Sequence, residues 1–306
     1  MHVFVTGASG LVGSSVVPAL VQAGHTVSAI TRSEASAEKI KANGATEVHI
    51  GSMDDTHLLQ QAASKADAII HLAFDHDIAF KPGGAIGACE SDRAAIRTMA
   101  DALVSNSSSS SSSKKFFIGT SGLLGVMGED EKAPEFENPN LPRYLADYLV
   151  KSYSDNGSLH THIVRLPPVV HGPGYEHPFV ATQIKVAKDT GVVGILEQGD
   201  KLWPSVHVKD AAAVYVLALE GKAPTGSPLH PVQEEGIPTK EIAEFIAKKL
   251  KMETKTIPQE EAMQRWGFIG FVLGLGGRRT GTYTREWLGW EPKEYGLFKE
   301  MENYTY

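Results

Sequence analysis

Apolar, β-branched runs alternate along the first 170 residues with stretches whose apolar positions recur at helical spacing. The runs predict strands at 2–6, 26–31, 47–50, 68–72, 115–120 and 161–166. The periodic stretches predict helices, among them 11–23 and 93–104. Such alternation implies an α/β fold, a doubly wound parallel sheet with helices on both faces and right-handed crossovers. After Leu166 the pattern changes. RLPPVVHGPGYEHPF is rich in proline and glycine, which predicts irregular chain lining a cleft. HVKDAAAVYVLALEG reads as a return to the main helical layer, and PTKEIAEFIAKKL as an amphipathic helix with Thr239 at its N-cap. The expected division is a main domain of 1–172 and 205–233, interleaved with a smaller, mostly helical cap of 173–204 and 234–306.

Composition narrows the classes. With 306 residues, 42% of them hydrophobic, the chain can bury a substantial core. A net charge of −7 carries no footprint for nucleic acid or an anionic membrane. The single cysteine, Cys89, excludes an internal disulfide framework and a thiolate zinc cluster, and fits a cytoplasmic protein. No secretory signal opens the sequence, and the apolar run 267–277 is far shorter than the roughly 20 residues a bilayer requires. The run of seven serines at 107–113 cannot bury apolar surface and reads as a mobile surface loop.

In HVFVTGASGLVGSSVVPAL, Gly7, Gly10 and Gly13 fall between the first strand and the first helix. Small residues there let the backbone approach a pyrophosphate at a helix N-terminus, so a dinucleotide is the expected ligand. An NAD-preferring site places a carboxylate at the end of the second strand. Here Thr31, Arg32 and Ser33 stand in that place. A guanidinium and a hydroxyl suit a 2′-phosphate, so NADP(H) is preferred, while Glu34 nearby keeps NAD(H) open.

TGASGLVG, IIHLA, FIGTSG, RLPPVVHGPG, WPSVHVKDAA and LGWEP occur in this order. The set resembles the extended and atypical short-chain dehydrogenase/reductases of the NAD-dependent epimerase/dehydratase branch, over nearly the whole chain. By that resemblance Gly7, Gly10 and Gly13, with Ser9, Leu11 and Val12, would contact the pyrophosphate. Arg32 and Ser33 would face the adenosine 2′ position, and Asp54 would lie by the adenine. Ala73 and Phe74 would border the nicotinamide ribose, and Pro168 and Val169 would lie beside the carboxamide. Leu72 and Thr120 complete the expected coenzyme contacts, and Ser121 matches the family's serine that hydrogen-bonds the substrate oxygen.

The family's acid is normally a tyrosine followed four residues later by a lysine, a spacing that puts both on one helix face. In LPRYLADYLVKSY, Tyr144 is followed at that distance by Tyr148, and Tyr148 by Ser152. The nearest substitute is Tyr148 with Lys151 three residues on. A better register puts Arg143 at the lysine position, Asp147 at the acid that follows, and Pro139 at the tyrosine position. Arg143 would stabilise an alkoxide but is a very poor acid. The packing alternative also stands: Leu141, Tyr144, Leu145, Tyr148 and Leu149 form one stripe, suited to a core or a dimer contact, and Arg143, Asp147 and Lys151 a surface ion ladder.

Histidines are the reserve proton donors, because they titrate near neutrality. His76, His171 and His177 lie after the fourth and sixth strands, where the nicotinamide would sit. No recognised metal-ligand spacing is present, so no metal is expected. WGFIGFVLGLGGRRTG reads as a buried helix and loop or as a pocket wall, with Trp266, Phe268 and Phe271 meeting an apolar substrate and Trp203 and Tyr175 contributing. The expectation is an NADPH-dependent reductase of a ketone or aldehyde on a small, moderately hydrophobic molecule, a monomer or homodimer. The alternatives are an NADP(H)-binding redox sensor without turnover and a redox-neutral epimerase.

Overall fold

The computed structural model describes residues 1–79, 81, 83–106, 115–173, 178–304 and 306, with the backbone alone at 265, 268 and 269. The serine run at 107–113 therefore lies outside the described residues.

The six predicted strands all form, as β1 (His2–Thr6), β2 (Thr26–Thr31), β3 (Glu47–Ile50), β4 (Ala68–His71), β5 (Phe116–Gly122) and β6 (His160–Leu166). Later come β7 (Val169–His171), β8 (Val193–Leu196), β9 (Leu202–His207), β10 (Pro228–Leu229), β11 (Glu234–Pro238) and β12 (Thr254–Ile257). The helices up to the middle of the chain are α1 (Gly13–Gln22), α2 (Glu34–Ala42), α3 (Thr56–Ser64), α4 (His76–Ala79), α5 (Gly84–Ser105) and α6 (Tyr144–Asp155). They are followed by α7 (Pro178–Thr190), α8 (Val208–Ala218), α9 (Thr239–Leu250), α10 (Gln259–Trp266), α11 (Phe268–Leu273), α12 (Thr282–Leu288) and α13 (Leu297–Met301).

The main sheet is seven-stranded and parallel, in the order β3-β2-β1-β4-β5-β6-β10. Its strands are buried on both sides, and alternate residues feed different cores. Val3, Val5 and Ile70 pack with Val16, Val17 and Leu20 of α1 and with Tyr215 of α8. Phe4 and Ile69 pack on the other face with Leu59 of α3, Met99 of α5 and Val150 of α6. This period-two division gives the doubly wound, Rossmann-like α/β architecture. A further core gathers Val180, Ile184, Trp203, Ile242, Ile246 and Val272 from the later elements. Two small sheets serve it, β7-β9-β11 and β8-β12.

Local differences from the sequence expectation have tertiary causes. The helix expected at 93–104 starts at Gly84, a residue that reads as a helix breaker but is demanded by packing. A Cβ on Gly84 would lie 2.0 Å from the Ile78 carbonyl oxygen. Thr239 is the first residue of α9, not its side-chain cap, and Pro238 stands at the cap. The open N–H groups of Thr239 and Lys240 donate instead to the carbonyls of Lys201 and Gly199. Pro18, inside α1, leaves the Ser14 carbonyl without its helical donor, and the Asn43 amide approaches that oxygen at 3.5 Å. The segment after Leu166 is partly regular, since Val169 to His171 pair in parallel with β9. The WPSVHVKDAA and LGWEP motifs form one joint: Trp290 donates to the Asp210 carbonyl, and the Asp210 carboxylate accepts from the N–H groups of Lys293 and Glu294. Among the described residues no helix is long and apolar enough to cross a membrane.

Candidate functional site

The turn between β1 and α1 is built around absent side chains. Gly7 has φ +69°, and a Cβ there would come within 2.8 Å of the backbone where β4 ends, at Leu72 and Ala73. A Cβ on Gly13 would sit 2.2 Å from the Gly7 carbonyl oxygen. Gly10 is exposed, and its N–H donates to the Gly7 carbonyl at 3.0 Å. Helix α1 starts here with no side-chain cap and no acidic residue in its first turn, so its positive end is not neutralised by its own side chains. Leu11 and Val12 pack against the first core, and Ser9 is exposed. The cradle fits a dinucleotide's phosphates.

A buried polar chain holds the neighbouring strand end. His71 Nε2 meets Asp92 at 3.0 Å, and its Nδ1 meets the Thr6 hydroxyl at 2.7 Å. Thr6 Oγ1 in turn accepts from the Ala73 N–H at 3.3 Å. Thr6, His71 and Asp92 escaped the sequence reading. The signal was a histidine inside the apolar run 68–73.

At the far end of β2 the Arg32 side chain is 75% exposed, with Asp75 3.9 Å away. Ser33 caps α2 by accepting from the Ser36 N–H, and Asp54 accepts from Ser91 at 2.6 Å.

Where β4 and β5 end, Arg143 lies flat over the Phe74 ring, 3.7 Å from its centroid, and donates to the Thr120 carbonyl at 3.2 Å. The Thr120 hydroxyl meets Tyr215 at 2.9 Å on the opposite face. His76 packs edge-on against Phe74, with ring centroids 5.0 Å apart. Partial burial, and then the Arg143 cation, lower the His76 pKa. Arg143 is thus no part of a surface ladder.

Ser121 donates to Asp147 at 2.8 Å. Asp147 is buried 3.8 Å from Arg165, whose guanidinium also pairs with the buried Glu135. Arg165 further donates to the Ala133 carbonyl at 3.3 Å, and its Nη1 meets His230 at 3.4 Å. Burial pushes Glu135 up to about 8, assisted by the Asp147 charge, and burial likewise raises Asp147. Glu135 and Asp147 contact the same guanidinium, and their raised pKa values favour a proton on the pair. Sequence reading found Ser121 and Asp147 but missed Glu135 and Arg165, which enter from separate segments.

Tyr148 is 44% exposed and donates to Glu137 at 2.8 Å. That hydrogen bond raises its pKa, which disfavours the phenolate. The expected stripe is not the buried face of α6. Ala146, Asp147, Val150 and Tyr153 are buried, while Tyr144 and Tyr148 meet edge-on at 5.7 Å outside them. Lys151 pairs with Asp155.

His171 has no exposed surface, and neither ring nitrogen reaches a partner among the described residues. Burial lowers its pKa to about 3, with the neighbouring His207 ring contributing. A neutral, enclosed imidazole is poorly placed to deliver protons, but it makes a stability prediction. The unfolded ring takes up a proton below its ordinary value of 6.5 and the folded ring does not, so stability is lost as pH falls from 6.5 toward about 3. His171→Leu should remove this penalty, gaining about 2 kcal/mol on the wild type at pH 5 relative to pH 8. Urea unfolding at the two pH values measures it.

A shallow, open depression lies between Leu123, Leu124, Pro168, Pro204, Gly276, Gly277 and Arg279. Val169 and Trp203 are fully buried, Trp203 donating to the Leu275 carbonyl at 3.0 Å, and so stand behind any pocket surface. The Trp266 ring covers Gly194, and Phe271 is 41% exposed. Tyr175, His177 and the side chain of Phe268 lie outside the described residues. Among the described residues no group of three or more histidine, cysteine, aspartate or glutamate side chains could hold a metal ion.

The chain is 36% identical over 307 residues to Uncharacterized protein C2A9.02 of Schizosaccharomyces pombe, covering 100% of both chains. It is 36% identical over 310 residues to Uncharacterized protein YLL056C of Saccharomyces cerevisiae, covering 100% of this chain and 99% of that one. DesIV, a dTDP-glucose 4,6-dehydratase from Streptomyces venezuelae solved with NAD and TYD bound, shares the fold at TM-score 0.74 and 18% identity. That match covers 98% of this chain and 94% of DesIV. The profile of the NAD dependent epimerase/dehydratase family matches residues 3–230, from the first strand through the last strand of the main sheet. With the glycine cradle and the parallel sheet in place, the chain belongs to the NAD dependent epimerase/dehydratase family.

Proposed function

We propose that the protein is an NADP(H)-dependent oxidoreductase that reduces the ketone or aldehyde group of a moderately hydrophobic small molecule. One observation carries the reading. Arg143, held on the Thr120 carbonyl and the Phe74 ring, sets a permanent cation at the ends of β4 and β5, one residue from the Ser121 hydroxyl. Residues 1–172 and 205–233 would hold the coenzyme, through the glycine cradle and Arg32, and 173–204 and 234–306 would cover the substrate. The bound coenzyme supplies a hydride to the carbonyl carbon. Arg143 lowers the cost of the charge that gathers on the oxygen, and Ser121 orients that oxygen. Leu123, Leu124, Pro168 and Pro204 offer an apolar wall.

The test is NADPH oxidation by the purified protein across a panel of hydrophobic aldehydes and ketones, with 4-nitrobenzaldehyde as the reference compound. Bound NADPH with no carbonyl reduced would overturn the reading. The likeness to DesIV favours a second, redox-neutral reading, marked by a product altered without net change of coenzyme. Coenzyme choice has its own test. Arg32→Asp removes an exposed cation and supplies a ribose-binding carboxylate, so NADPH affinity should fall at least about tenfold and NADH affinity rise. Fluorescence titration with both coenzymes reads the change.

A further inference from the structure

The reductase reading leaves one requirement open: the alkoxide must receive a proton. Arg143 keeps its charge and cannot supply it. Helix α6 carries no tyrosine followed four residues later by a lysine, and Tyr148 is committed to Glu137 at the surface. His171 is enclosed. Among the described residues, the buried Glu135 and Asp147 carboxyls are a further proton source beside the site.

We propose that the buried Glu135–Asp147 carboxyl pair stores the proton that Ser121 passes to the substrate oxygen, so that two carboxyls and a hydroxyl do the work of the family's tyrosine and lysine. The geometry is a continuous line. Ser121 Oγ lies 2.8 Å from Asp147, and Asp147 and Glu135 are both buried against the same Arg165 guanidinium. Arg165 ties the two carboxyls together by pairing with both. Two carboxylates against one guanidinium leave a net negative charge in a nearly dry place, which one proton cancels. That proton is retained at neutral pH, with Glu135 holding it up to about 8.

The charged and titratable groups facing the pair come from every side. Arg165 enters from β6, and Arg143 from the start of α6. His230 follows β10 behind Arg165, and burial, with the Arg165 charge, holds it neutral, with a pKa near 3. Tyr148 and Glu137 lie on the exposed side of Glu135. None of these offers a mobile proton at pH 7 in the way Glu135 does.

The step balances. Hydride from NADPH forms the new C–H bond as the carbonyl π bond breaks. The Ser121 O–H proton moves to the substrate oxygen, and the single proton of the pair passes from Glu135 through Asp147 to Ser121. Solvent reprotonates Glu135 after the alcohol leaves, so one carbonyl, one NADPH and one proton give one alcohol and one NADP⁺.

This inference rests on the reductase reading, and its test separates the two. With NADPH and 4-nitrobenzaldehyde, kcat of the wild type should fall as pH rises through about 8. Glu135→Gln and Asp147→Asn should each lower kcat about 100-fold at pH 7 and erase that inflection, with KM and NADPH affinity unchanged. Infrared difference spectra of the NADPH complex should show a protonated carboxyl band at pH 7 that Glu135→Gln removes, whether or not turnover occurs. Turnover with an unaltered rate and pH profile in both folded variants would overturn the relay alone. Absence of the band from the wild type would also overturn it. No reduction of any carbonyl by the wild type would overturn the reductase reading and the relay with it.

Discussion

Gly10→Glu should leave the fold standing and lower NADPH affinity at least about 100-fold, read by fluorescence titration. Gly10 is exposed, and an added Cβ would meet only the Gly7 carbonyl oxygen, at 3.2 Å, so the chain can carry a side chain there. What it cannot carry is a carboxylate against the coenzyme's phosphates. At about 4 Å, with an effective dielectric near 20, one such repulsion is worth about 4 kcal/mol, of which screening leaves about 3, or about 100-fold in affinity. Gly13→Ala is the contrasting variant. Its Cβ would strike backbone at 2.2 to 2.8 Å, so helix α1 must shift. That overpacking should cost about 1–3 kcal/mol of stability as well as binding. Wild-type NADPH affinity in Gly10→Glu would place the coenzyme elsewhere and sink the proposed function.

Arg165→Met should destabilise the protein by about 3–5 kcal/mol at pH 8.5, because a buried charge cluster loses the cation that lies within 4 Å of both carboxyls. The Ala133 carbonyl and His230 lose their guanidinium contacts at the same time. The pH dependence identifies the cause. A carboxyl whose folded pKa is raised above its unfolded value contributes most below that unfolded value, and stability declines as pH rises toward the folded pKa. For Glu135 that window runs from 4.5 to about 8 in the wild type. Without Arg165 both carboxyls shift further up, so the deficit of the variant should widen between pH 5.5 and 8.5. Adding Glu135→Gln and Asp147→Asn should recover most of the loss, since neutral amides need no cation. Urea unfolding of the single and triple variants at both pH values measures this. A deficit independent of pH would assign the loss to packing.

Elements defined by short-range pattern were legible. The strand at 2–6 needed only its apolar run, and the turn that follows only its glycine spacing, because backbone sterics act over a few residues. Element edges were less so: α5 extends back to Gly84 because a carbonyl of α4 lies against its first turn. The tyrosine stripe of α6 failed as a guide to burial. Periodicity marks a face as apolar, but the sheet chose the neighbouring face, and Asp147 went inside because Arg165 was waiting there.

The sequence by itself determined the α/β layering and the glycine turn between β1 and α1, since both follow from alternation and from the missing Cβ atoms of Gly7 and Gly13. Only the tertiary structure decided which polar groups share a buried space. Ser121, Glu135, Asp147 and Arg165 are spread over 45 residues of chain and meet because β5, β6 and α6 stack side by side. The protonation of Glu135 and Asp147 depends on that meeting: in water each carboxyl titrates alone, and burial raises both.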